Sequence, residues 1–130
     1  QSQSKAIPHK YRLRSALKHN KNPDGRVYTG QIDKKKFIPH GIGKVLYPDK
    51  TEYIGEWYQG EMHGVGKFQW SDGSCYNGDY MFGKKHGTGK FQYNNGKIYN
   101  GKWVEGKQHG QGVLYGKDGQ LLKQGLWKQG

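Results

Sequence analysis

The pair His-Gly recurs at His40-Gly41, His63-Gly64, His86-Gly87 and His109-Gly110, each 23 residues after the last. A fixed period of this length marks a repeat architecture, in which each unit is one supersecondary element unable to bury its apolar face alone. Each pair opens a similar phrase (HGIGK, HGVGK, HGTGK, HGQGV), and a turn sequence follows at the same spacing as PDK, SDG, NNG and KDG. An aromatic-glycine phrase completes the unit: YTGQI from Tyr28, YIGEW from Tyr53, YNGDY from Tyr76, YNGKW from Tyr99 and the degenerate KQGLW from Lys123. The chain of 130 residues thus holds four units and a truncated fifth, a length that suits one array and excludes a two-domain enzyme.

Within a unit the local pattern is that of strands. In Tyr53-Ile54-Gly55-Glu56-Trp57 the aromatic and glycine positions alternate with Ile54 and Glu56, and Gly64 to Trp70 does the same, the period-2 signature of a strand with one buried face. Gly60-Glu61-Met62-His63 and Ser71-Asp72-Gly73 are read as the two reversals, so one unit is one hairpin. Aliphatic residues are scarce, while aromatics make up 14% of the chain and glycines number 22. Burial must then come from rings lying over glycines, an arrangement that explains glycine inside strands it would otherwise weaken. The expected fold is all-β: an elongated single-layer antiparallel meander of repeated hairpins, roughly 40–50 Å long by strand spacing, with a basic N-terminal arm. Residues 1–23 are read as the arm and 24–130 as the array. Two departures from the period predict local irregularities: a two-residue insertion in KKKFIP of the first unit, and one extra residue near Leu121-Leu122 in the last. Gly116 also stands where earlier units have Tyr47, Trp70 and Tyr93, as in a terminal cap.

The phrase Y-x-G-x-W followed by x-x-G-x-x-H-G-x-G resembles the MORN repeat, and Tyr53 to Cys75 matches it almost position for position. The resemblance covers Asp24 to Gly130. It implies an array of β-hairpins whose framework is Tyr53, Gly55, Trp57, Gly64, Gly66, Tyr76, Gly78, Gly87, Gly89, Tyr99, Gly101 and Trp103. It further implies a scaffolding or membrane-apposed role, with cytoskeletal, ciliary or membrane-junction assemblies as the expected setting.

No catalytic constellation emerges from the residues. Strands about 4.8 Å apart place equivalent histidines of adjacent units about 9.6 Å apart, too far to share a zinc ion whose ligands lie about 2.1–2.3 Å from one point. No metal site or cofactor is expected, and the histidines are read as turn residues bonding local backbone. Cys75 has no motif around it and is read as a small, half-buried strand residue. If Trp57 faces Gly66 across the hairpin, Glu56 faces Lys67 and Asp79 faces Lys90, which predicts cross-strand ion pairs on the solvated face. The glycines do not form a phosphate loop, since G-x-x-x-x-G-K-[ST] is absent.

Charge supplies the remaining signal. A net charge of +12 favours acidic partners: anionic lipid, nucleic acid or an acidic protein surface. Nucleic acid ranks last, because no RNP-like or OB-like signature accompanies the cations. Residues 1–23 hold six Lys and Arg and no acid, with Ile7, Tyr11, Leu13 and Leu17 interleaved among Arg12, Arg14 and the lysines. This arm is expected to anchor a protein partner, through a short helix around Tyr11–His19. Lys34, Lys35 and Lys36 in the insertion, echoed by Lys84 and Lys85, form the candidate site for anionic membrane lipids, with all five expected on loops at one edge. The leading reading is a non-enzymatic scaffold that binds other protein subunits. An acidic-phospholipid module and a regulatory array cut from a larger enzyme are the alternatives. Exposed terminal strands leave self-association open. With one cysteine and no stretch of about 18 apolar residues, an intracellular setting is expected, whether cytoplasmic, cytoskeletal, ciliary or membrane-apposed; the basic arm also fits a mitochondrial address.

Overall fold

The computed structural model describes residues 18–129. Ile7, Tyr11, Arg12, Leu13, Arg14 and Leu17, the anchor residues of the arm, lie outside this range. Ten strands follow one another: β1 (Lys18–Lys21), β2 (Val27–Ile32), β3 (Pro39–Leu46), β4 (Glu52–Tyr58), β5 (Glu61–Gln69), β6 (Cys75–Met81), β7 (Lys84–Gln92), β8 (Ile98–Val104), β9 (Lys107–Tyr115) and β10 (Leu121–Trp127). They form one sheet in sequence order, every neighbour antiparallel, as the repeat predicts. The first described strand lies inside the stretch read as an arm: Lys18 to Lys21 pair with Gly30 to Val27, so the end of the expected helix is a strand.

Two kinds of reversal alternate. At one edge, Gln59-Gly60, Phe82-Gly83 and Glu105-Gly106 are two-residue loops with both φ values positive, the combination that matches the twist of a hairpin. The reversal therefore falls at Gln59-Gly60, and Met62 and His63, expected in the turn, belong to β5. At the opposite edge the Ser-Asp-Gly turn closes with Gly73 N–H donating to the Trp70 carbonyl (3.1 Å) and Trp70 N–H to that of Ser74 (2.9 Å). Asp72 Oδ1 accepts the Ser74 N–H at 2.8 Å, the local bond for which aspartate is favoured in turns. The insertion of the first unit forms the longer β2–β3 loop. There Asp33 accepts the N–H groups of Lys35 and Lys36, at 2.8 and 3.0 Å, and the Gln59 amide, at 3.0 Å. These bonds, the Gln59 amide first, hold its carboxyl down at about 2. The extra residue of the last unit appears as a register shift between Leu121 and Lys123.

The expected pairing of Glu56 with Lys67 does not occur. Gly55 pairs with Gly66, but the next pair is Trp57 with Met62, so Glu56 stands opposite three residues of β5. This bulge centres on Gly64, whose φ of +85° places it in the left-handed region. The same shift follows Gly78 and Gly101. The recurring His-Gly thus encodes a bulge: Gly41, Gly87 and Gly110 also have positive φ. Glu56 Oε1 turns into the bulge and accepts the Val65 N–H at 2.7 Å; Asp79 does the same for Thr88 at 3.1 Å, and Gln31 for Ile42 at 2.7 Å. Lys67 pairs instead with Ile54, and Lys90 with Asn77.

Candidate interaction surface

One face of the sheet is built from rings and glycines. Tyr53, Tyr76 and Tyr99 are fully buried. Each ring lies along its own strand and donates its hydroxyl proton to the carbonyl three residues on, at Glu56, Asp79 and Lys102, in each case at 2.8 Å. The phenol thereby satisfies itself where the bulge opens the ladder. Burial pushes the Tyr53 and Tyr76 hydroxyls well above their ordinary range of ionisation. The glycines are there to admit these rings: a Cβ at Gly66 would run into the ring and hydroxyl of Tyr53, and one at Gly89 into those of Tyr76.

Trp57, Tyr80, Trp103 and Trp127 fill the gaps between successive tyrosines. The order Tyr28, Trp57, Tyr53, Tyr80, Tyr76, Trp103, Tyr99, Trp127 is a continuous ladder, with neighbouring centroids 5.0–5.5 Å apart and planes 74–89° to one another. Edge-to-face contacts of this kind are worth about 0.5–1.5 kcal/mol each beyond area burial. The indole N–H groups of Trp57 and Trp103 donate to the carbonyls of Gly43 (2.9 Å) and Gly89 (3.1 Å), stitching each unit to the one before. All twelve framework residues named from the sequence fall in these strands, and the aromatic ones among them in this ladder.

A second row of rings runs beside the first on the same face. Tyr47, Phe68, Trp70, Phe91 and Tyr93 follow one another with centroids 4.5–6.0 Å apart, and all five are only half-buried. Lys85 stands among them. Its Nζ lies 5.4 Å from the Trp70 ring centre, 5.5 Å from Trp103, 5.7 Å from Tyr76 and 5.8 Å from Phe91, within cation–π range of each. Burial lowers its pKa.

The opposite face is different in kind. Lys44, Ile54, Lys67, Asn77, Lys90 and Asn100 form one cross-strand row, all exposed. On this side His40 Nδ1 accepts the Gln59 N–H at 3.0 Å and His63 Nδ1 that of Phe82 at 3.3 Å. These histidines do bond turn backbone, but in the following unit, which links unit to unit. Among the described residues no group of His, Cys, Asp or Glu is placed to hold a metal ion, and no helix is long and apolar enough to cross a membrane.

The five lysines proposed for lipid separate into three environments. Lys34, Lys35 and Lys36 do sit on the β2–β3 loop, with Lys36 Nζ donating to Gln59 Oε1 at 2.9 Å. Lys84 and Lys85 are strand residues, not loop residues. Lys84 pairs with Glu105 at 3.3 Å, and Lys85 points the other way into the rings. Cys75 is a half-buried strand residue, as expected.

A model of the MORN repeat matches residues 53–75, 76–98 and 99–121, three consecutive units that make up more than half of the chain. The chain belongs to the MORN-repeat family. MORN repeats are interaction modules for proteins or lipids, and the repeat itself is non-catalytic. No curated protein matches the chain. The sequence offers the aromatic face, or the sheet edges, as a docking surface, but it does not separate the half-buried row of Phe68, Trp70, Phe91 and Tyr93 from the buried ladder beside it.

Proposed function

We propose that this MORN array is a non-enzymatic protein-docking scaffold, and that its partner seats on the face carrying Tyr47, Phe68, Trp70, Phe91 and Tyr93. The observation that carries this reading is the row of half-exposed rings on one side of a single-layer sheet. Aromatic side chains present large apolar area at low entropic cost and dominate protein interfaces. The lipid alternative is weakened by the dispersal of its cations. Clusters of four to eight Lys or Arg, each contributing about 1 kcal/mol, mark anionic membrane binding. Here three of the five sit together, one is paired with Glu105, and Lys85 is withdrawn among rings. A structural subunit of a cytoskeletal, ciliary or membrane-apposed assembly is the setting we propose, on family grounds.

The test is photo-cross-linking in cells with a photoreactive residue at Trp70, compared with one at Gln69 on the opposite face and one at Lys35 in the loop. A defined protein adduct from position 70 alone is the expected result. Lipid adducts from position 35 with none from 70 would replace the reading with the membrane one.

A further inference from the structure

The positions 62, 85 and 108 are equivalents in the 23-residue period, and they hold Met62, Lys85 and Gln108. Met62 packs among the rings as an apolar filler, and Gln108 spends its amide on the Tyr93 hydroxyl at 2.6 Å. Lys85 alone brings a full charge to this spot, and among the described residues no carboxylate lies against it. A position that neighbouring units fill with neutral side chains does not require a cation for folding.

The charge is also unanswered across the whole face. All ten carboxylates of the chain belong to turns, loops, bulges or the opposite side of the strands. The rings offer Lys85 their negative faces, which hold an ammonium in place but leave its hydrogen-bonding capacity free. A half-buried ammonium without a counter-ion gains most from a carboxylate that arrives with its own apolar surroundings, because the interaction then forms away from water.

Resting on the docking reading above, we infer that Lys85 is the specificity determinant of the aromatic face, selecting a partner segment that presents an Asp or Glu among apolar side chains. The occupant is a peptide segment of another protein. The chain's own arm does not qualify, since residues 1–17 contain no acid. A second copy's aromatic face is equally without carboxylates. An anionic bilayer presents charge to clusters of cations, whereas Lys85 is a single ammonium set among rings. An acid-bearing apolar segment meets both the charge and the rings.

The experiment is selection from a fully randomised 16-residue peptide display library on the whole chain, on Lys85→Met, on Lys85→Gln and on the opposite-face control Lys67→Met. The two Lys85 variants recreate the Met62 and Gln108 arrangements of neighbouring units, so the fold is retained. Peptides from the wild-type and Lys67→Met chains should be enriched in Asp or Glu flanked by Leu, Phe or Trp, and that acid enrichment should vanish with both Lys85 variants. Replacing the acid of one selected peptide by its amide should weaken binding to the wild-type chain about tenfold and leave binding to Lys85→Met unchanged. Equal acid content in all pools, or an equal amide penalty on both chains, would overturn the inference while leaving aromatic-face docking intact. Selected peptides that bind a Trp70→Ser, Tyr93→Ser variant as well as the wild type would overturn both.

Discussion

The two faces of this sheet share every strand, the same backbone ladder of hydrogen bonds and the same 23-residue period, yet they are built on different rules. On one face each position is dictated by its neighbours: Tyr53 needs glycine at 66, Trp103 needs the carbonyl of Gly89, and each interior ring of the ladder is held edge-to-face between two others. On the other, Ile54, Val65 and Lys67 stand in solvent with no comparable constraint. The difference teaches that a single-layer sheet can stand without a second layer when one of its faces acts as its own core. Apolar area is buried laterally, ring on glycine and ring on ring, and not against another element.

The sharpest way to break this comparison is to empty one rung of the ladder. Trp103→Ala removes a buried indole, its bond to Gly89 and two edge-to-face contacts, and should cost about 3–5 kcal/mol in chemical denaturation. Val65→Ala, on the exposed face only a few strands away, should stay within about 0.5 kcal/mol. Similar losses from the two would mean that the faces are not distinct. Next in size is Gly66→Ala, which sets a methyl group against the buried Tyr53 ring and should cost about 1–3 kcal/mol by overpacking; a neutral result would show that the ring has room to move. The smallest effect sharpens the comparison at the bulge. Glu56→Ala should cost about 1 kcal/mol, because Val65 N–H loses its acceptor, whereas Glu56→Gln should be nearly silent, since Gln31 already does this work in the first unit. Were Glu56 acting through its charge on Lys67, Gln and Ala would be equally damaging.

The contrast between the faces was legible in the sequence because it depends only on alternation. Tyr53, Gly55 and Trp57 must share a side whatever the pairing, and glycine under a ring follows from composition. The cross-strand partners were not legible. Placing Glu56 opposite Lys67 followed from setting the reversal at Gly60 to His63, which puts Trp57 opposite Gly66; the turn in fact falls at Gln59-Gly60 and the left-handed Gly64 adds two residues to β5, so Gly66 meets Gly55 and Lys67 meets Ile54. The signal was present in the His-Gly repeat itself, but a glycine in sequence does not announce the sign of its φ. The same error of register carried Lys84 and Lys85 into a loop: the reversal is completed by Phe82-Gly83, and alternation then sends the two lysines to opposite sides. The insertion and the extra residue near Leu121 were located correctly because a count of residues needs no geometry.

Sheet order identical to chain order has a mechanical consequence. Because consecutive strands are neighbours throughout, the chain's first and last described strands lie at opposite ends of the array, and tension between them pulls across the strands, along the direction of the hydrogen bonds. Load then falls on one strand boundary at a time instead of shearing many bonds together. An array so built peels from an end, unit by unit, and each 23-residue unit released adds up to roughly 75 Å of extended chain. Anchored between two structures, such a protein would yield by lengthening in steps, its interior units keeping their shape while the end units give way.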